Sequence, residues 1–178
     1  MMRRYLLFIV LFILFIAEGT IYQVFAPDFR GSDYLFIPRW VFMIIIFAGI
    51  YRGRAIGTLH AVIFGVLYDI IFSSVLGIYT FAMGLIAYLF SIAHPFFQRN
   101  LVVSISMSII AVMILEYFVY GFMLLLGYTT VLHEEFLYIR FIPTVIMNLV
   151  VIAVLAYPLR KWFYYVNQRA EEQDKFHS

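Results

Sequence analysis

Three carboxylic acids stand inside long apolar stretches of this chain: Glu18, Asp69 and Glu116. Two arginines, Arg39 and Arg140, and one amide, Asn148, have similar surroundings. An ionised group placed in hydrocarbon costs several kcal/mol unless it finds a partner. Such residues can pair across helices and fix a bundle, receive a partner or ligand, or relay protons or ions. A relay needs polar groups reaching both faces, and one end of each stretch is mostly apolar. Pairing is therefore the first expectation, and a site open to a partner or ligand the second.

Other chemistry is thinly represented. The chain has no cysteine, which excludes disulfides, thiolate metal sites and thiol nucleophiles. His60, His94, His133 and His177 are too far apart to form a ligand-spaced pair, and His60 is expected to hydrogen-bond locally. There is no nucleotide-binding loop, no His-Glu-x-x-His run, no Ser/His/Asp set and no paired-aspartate motif of the lipid-transferase kind. The reading is non-enzymatic, with no cofactor, no metal and no nucleic-acid partner.

The elements that position these residues follow from composition. Of 178 residues, 65% are hydrophobic and 12% charged, where soluble domains carry about a quarter charged residues. A soluble core of this size could not hide so much apolar surface, so lipid is the solvent. A spanning helix needs roughly 20 apolar residues. Six spans are predicted, over 5–25, 34–51, 55–72, 77–94, 101–126 and 139–157. They give an all-α integral membrane bundle over residues 1–158, with 159–178 as a cytoplasmic tail, frayed or helical. Pro38 is expected in the first turn of the second span, where proline is tolerated. Arg3-Arg4, an apolar run and Val24-Phe25-Ala26 imitate a signal peptide, but the run is long, Glu18 interrupts it and further spans follow, so it is read as uncleaved.

Orientation follows from positive charge. With both termini inside, nine of the twelve Lys and Arg residues are cytoplasmic, and Arg30, Arg39 and Arg140 are outer. The outer loops carry Asp28, Asp33, Glu134 and Glu135. At a rise of about 1.5 Å per residue, Glu18, Asp69 and Glu116 each lie roughly 20 Å from the inner end of their spans. They share one layer in the outer half, which Arg39, Arg140 and Asn148 enter from the outer side.

Gly57, Ala61 and Gly65 recur every four residues on the third span, and Asp69 continues the row. Together with Gly77 and Gly84 they predict close helix packing, with spans three and four as a tight hairpin across residues 73–76. Tyr22, Tyr34, Tyr51, Tyr128, Tyr138 and Tyr157 fall near predicted interfaces, as belt residues do.

The stretch Ile63-Phe64-Gly65-Val66-Leu67-Tyr68-Asp69 with Leu76-Gly77-Ile78-Tyr79, preceded by Glu18 and Pro38-Arg39 and followed by Arg140-Phe141-Ile142-Pro143-Thr144, resembles the rod-shape-determining MreD family. The order and spacing agree from about Glu18 to Pro158. The resemblance implies a multi-pass protein of the bacterial cytoplasmic membrane. It further implies a scaffold role in peptidoglycan elongation, binding MreC in a complex with the filament MreB, the glycosyltransferase RodA and its class B penicillin-binding transpeptidase. It also implies a fold similar to the substrate-binding components of energy-coupling-factor transporters. A vitamin-type transporter component is the alternative reading. Residues 8–15 of the first span are bulky throughout, however, where that class often grips its coupling subunit through small residues.

Overall fold

The structure is a computed structural model that describes the backbone of residues 2–24, 34–92 and 95–176, and the side chains of 6–24, 34–92 and 96–166. Asp28, Arg30, Asp33, His94 and His177 lie outside the described residues, and the side chains of Arg3, Arg4, Arg169 and Lys175 lie outside those described.

The chain forms α1 (Met2–Val24), α2 (Trp40–Arg52), α3 (Arg54–Phe72), α4 (Ile78–Phe90), α5 (Pro95–Arg99), α6 (Leu101–Leu125), α7 (His133–Glu135), a π-helical stretch (Phe136–Phe141) and α8 (Ile142–Phe176). Four of these helical runs are long and apolar enough to cross a membrane, and α2 and α4 are shorter apolar helices. The result is an all-helical membrane bundle.

Helix α2 is its centre. Residues 41–51 are buried without a break, and a helix apolar on every side belongs in an interior. Helix α1 is one-sided. Leu7, Leu11, Phe15 and Glu18 form its buried stripe, at the three-to-four spacing of a single helix face, while Ile9, Ile13 and Ile16 are exposed.

The second span differs from its sequence expectation. Residues 34–39 are not helical, so Pro38 and Arg39 precede the helix instead of lying in its first turns. The backbone of this strap is paired with the π stretch and α8. Leu35 N–H donates to the Ile139 carbonyl at 2.8 Å, Ile37 N–H to Thr144 Oγ1 at 3.2 Å, and Arg39 N–H to Asn148 Oδ1 at 2.9 Å. Asn148 Nδ2 donates to the Ile37 carbonyl at 2.9 Å. Donors at alternate residues face one side, as in an extended strand. Pro38, which has no N–H, occupies a position between them. Non-helical backbone at membrane depth is tolerated only when buried partners satisfy it, and α8 supplies them from Thr144 and Asn148, one turn apart and fully buried.

Helices α3 and α4 form the expected hairpin. A Cβ on Gly65 would lie 2.7 Å from Thr80 Cα and 3.0 Å from the Tyr79 carbonyl, so only hydrogen fits. Gly84 abuts Val62, and Ala61 is fully buried. Gly57 packs towards α2, where a Cβ would come within 2.8 Å of Gly49 Cα. Gly77 is not a packing residue. A Cβ there meets open space, and its φ of +101° supplies the left-handed turn that starts α4.

At the far end from the strap, α8 continues through Pro158 to Phe176. Phe163 is fully buried and stacks on Tyr51 with centroids 5.7 Å apart. Gln98 joins the two helices there: its carbonyl accepts from Tyr51 and Tyr164 hydroxyls, and its amide donates to the Ile50 carbonyl. Tyr51 is thus an interior residue and not a belt residue. Tyr34, Tyr128, Tyr138 and Tyr157 are exposed.

Candidate functional site

Glu116 faces inward from α6 and is fully buried. Its Oε1 accepts from Arg39 Nε at 2.7 Å. Its Oε2 accepts from Arg140 Nε at 3.1 Å and from Arg140 Nη2 at 3.0 Å. One carboxylate therefore joins the strap, α6 and the π stretch. The wide π turn opposite α6 carries Arg140, and such turns recur at functional positions. Charge-assisted bonds of this kind are roughly twice as strong as neutral ones.

The guanidinium of Arg39 is 3% exposed and well supplied with partners. Nη2 donates to the Tyr79 hydroxyl at 3.0 Å, and the group lies 5.1 Å and 5.5 Å from the ring centres of Tyr79 and Tyr68. Glu18 sits beside it. One of its oxygens accepts from Val41 N–H at 2.7 Å and the other from the Tyr68 hydroxyl. Val41 is in the first turn of α2, so α1 supplies the carboxylate that caps α2.

Five of the six residues singled out from the sequence meet here: Glu18, Arg39, Glu116, Arg140 and Asn148. Asp69 does not join the arginines. It caps α4, accepting from the N–H groups of Gly77 (2.9 Å), Tyr79 (2.8 Å) and Thr80 (2.9 Å) and from the Thr80 hydroxyl (2.6 Å). A carboxylate at a helix N-terminus satisfies orphan donors and opposes the helix dipole. Tyr79 links the two arrangements, with its N–H on Asp69 and its hydroxyl accepting from Arg39.

Sequence reasoning gave no site role to Tyr68, Tyr79, Thr80 or Thr144, although all but Thr80 stand in the motifs quoted for the resemblance. Tyr79 and Tyr68 stand in stretches whose spacing draws attention, and Thr144 precedes Asn148 by four residues, on the same helix face. His60 Nδ1 lies 2.8 Å from the Ile56 carbonyl of its own helix, the local bond expected for it. Among the described residues, no three His, Asp or Glu side chains converge as metal ligands.

A cavity of about 340 Å³ adjoins the network and is lined by Glu18, Tyr22, Arg39, Tyr79, Phe72 and Arg140, among others. A second, of about 260 Å³, shares Arg140, Val119 and Met123 with the first and has Tyr120, Tyr128, Glu135 and Phe136 in its wall. The arrangement can hold helices in register and present Arg140 to these cavities.

A bundle of apolar helices whose buried charged side chains are bonded across its segments defines a polytopic membrane protein with a polar network in its core. The chain matches the family model described as rod shape-determining protein MreD over residues 2–166. It is also similar to the rod shape-determining protein MreD of Bacillus subtilis (strain 168), with 31% identity over 162 residues, covering 91% of this chain and 94% of that one. The chain belongs to the MreD family, whose role is in rod shape determination. No solved structure matches it.

Proposed function

We propose that this protein is a non-enzymatic scaffold of the cell-wall elongation machinery in the bacterial cytoplasmic membrane, with both termini in the cytoplasm. In this reading it binds MreC and connects the MreB filament to RodA and its class B penicillin-binding transpeptidase. The orientation is supported by the nine-to-three division of Lys and Arg between the two sides.

The observation that carries the scaffold reading is how interior charge is used. Glu18, Arg39, Asp69 and Glu116 are all buried, and each is bonded to another segment of the bundle. A buried polar network bonded across several segments specifies one arrangement of helices more than it adds stability. A fixed arrangement is what a partner's transmembrane helix can recognise, because helix association in lipid depends on close steric fit.

The test is co-purification of MreC with the tagged chain from native membranes in mild detergent, for wild type and for the double variant Glu18→Gln, Glu116→Gln. The expected result is loss of most MreC recovery while helix content stays near wild type. Recovery of MreC undiminished, from a variant that is also folded, refutes the reading.

A further inference from the structure

Arg140 is the one arginine of the described network with appreciable exposure, at 29% of its side chain. It lines both cavities. Its hydrogen bonds to described residues run from Nε and one Nη only, both to Glu116 Oε2. Glu116 divides a single negative charge between two guanidiniums. The charge of Arg140 is thus compensated only in part.

Glu135 stands five residues before Arg140, across the π turn, in the wall of the 260 Å³ cavity. It is exposed and forms no ion pair among the described residues. The same wall carries the ring of Tyr120 stacked on Phe136 at 4.0 Å, together with Tyr128 and Thr129. One cavity therefore offers an under-compensated cation and an anion that is unpaired among the described residues, separated by more than ion-pair distance, beside aromatic faces. The complement of such a wall is a zwitterion. A phosphate suits Arg140, because guanidinium bonds its oxygens at several points. An ammonium suits Glu135 and can also rest against an aromatic face.

Size and surroundings narrow the source. Pockets that enclose a whole small molecule run to about 300–1,000 Å³, and 260 Å³ lies just below them, so a headgroup fits better than a complete ligand. Large apolar side chains stand exposed on the segments next to this wall, with Leu125 at 82% and Leu132 at 73%. In a membrane these face acyl chains. We propose that this cavity binds the headgroup of a zwitterionic phospholipid, with the phosphate on Arg140, a primary ammonium on Glu135 and the acyl chains along the apolar rim. The outer leaflet is the source, on the orientation proposed above.

The test is native mass spectrometry of the full chain released from detergent, equilibrated with equal amounts of phosphatidylethanolamine and phosphatidylglycerol of matched acyl chains. Wild type should retain the ethanolamine lipid about three- to five-fold more, the value of one partly exposed ion pair. Glu135→Gln should bring the ratio close to one, because phosphate binding by Arg140 survives and the ammonium contact does not. Glu134→Gln, at an exposed neighbour absent from the cavity wall, should leave the ratio as in wild type. Equal retention by wild type overturns the proposal, as does a ratio unchanged by Glu135→Gln or altered equally by Glu134→Gln. Displacement of the lipid by free phosphoethanolamine at the lipid's own concentration also overturns it, since the site would then serve a soluble zwitterion. MreC is absent from this experiment, so its outcome is independent of the scaffold reading.

Discussion

Replacing Glu116 by glutamine changes almost nothing in volume and removes one charge. Glutamine has the shape of glutamate, so the substitution opens no cavity at this fully buried position and the loss is electrostatic. It takes from Arg39, itself 3% exposed, its ion-pair partner among the described residues, with only Glu18 nearby, and leaves Arg140 with its partial exposure to solvent. Removing one partner of a buried ion pair costs about 3–5 kcal/mol. Glutamine still offers one oxygen, and the Tyr79 hydroxyl and the two tyrosine faces still receive Arg39, which places the expected loss near the lower end, about 3 kcal/mol. That is roughly a hundred-fold change in the folded-to-unfolded ratio. Equilibrium unfolding of the purified chain in mixed micelles with increasing dodecyl sulfate measures it. The triple replacement Glu116→Leu, Arg39→Met, Arg140→Met should recover much of the loss, since well-packed apolar substitutes for a buried ionic triad are often neutral or stabilising. A loss below about 1 kcal/mol for Glu116→Gln would mean that the arginines find water or lipid phosphate without rearrangement, and the argument from burial would fail.

Asp69→Asn should weaken the cap on α4 by about 1–2 kcal/mol, and hydrogen exchange should accelerate at the amides of Gly77, Tyr79 and Thr80 while those of α6 change little. Gly65→Ala should destabilise by about 1–3 kcal/mol, because its Cβ meets Thr80 backbone at 2.7 Å. Gly121→Ala, where nothing lies within 4 Å, should stabilise α6 by up to about 1 kcal/mol, so unfolding of the two variants should shift in opposite directions. Asn148→Leu should cost about 2–4 kcal/mol, since Arg39 N–H and the Ile37 carbonyl lose their partner together, and cysteine accessibility introduced at Leu35 should rise.

Much of this architecture can be read from the residues, because hydropathy and helical rise fix depth. The shared level of Glu18, Glu116, Arg39 and Arg140 follows from counting along apolar runs. Depth does not fix the direction in which a side chain points around its helix. Asp69 lies in the same layer by that arithmetic, yet the hairpin turns it onto the first amides of α4 and away from the arginines. Gly77 has the composition of a packing residue and the backbone angle of a turn, and only the latter is used. The strap at residues 34–39 was hidden for a different reason. Local pattern reads it as the start of a helix, while its donors are satisfied by side chains 107 and 109 positions away. Pro158 carries a stop signal at the level of sequence, and the burial of Phe163 against Tyr51 carries the helix beyond it.

That strap also bears on the order of events during synthesis. A chain enters the membrane from its N-terminus, and residues 34–39 emerge long before Thr144 and Asn148 exist. Glu18 can cap the start of α2 early, because the two are only 23 positions apart. The amides of Ile37 and Arg39 must wait for the last helix, held meanwhile by water or headgroups near the interface. The backbone that leads into the central helix therefore has its final partners only once the last helix has been delivered. A chain truncated before Asn148 is left with the Arg39 N–H and the Ile37 carbonyl without the partners that the last helix supplies.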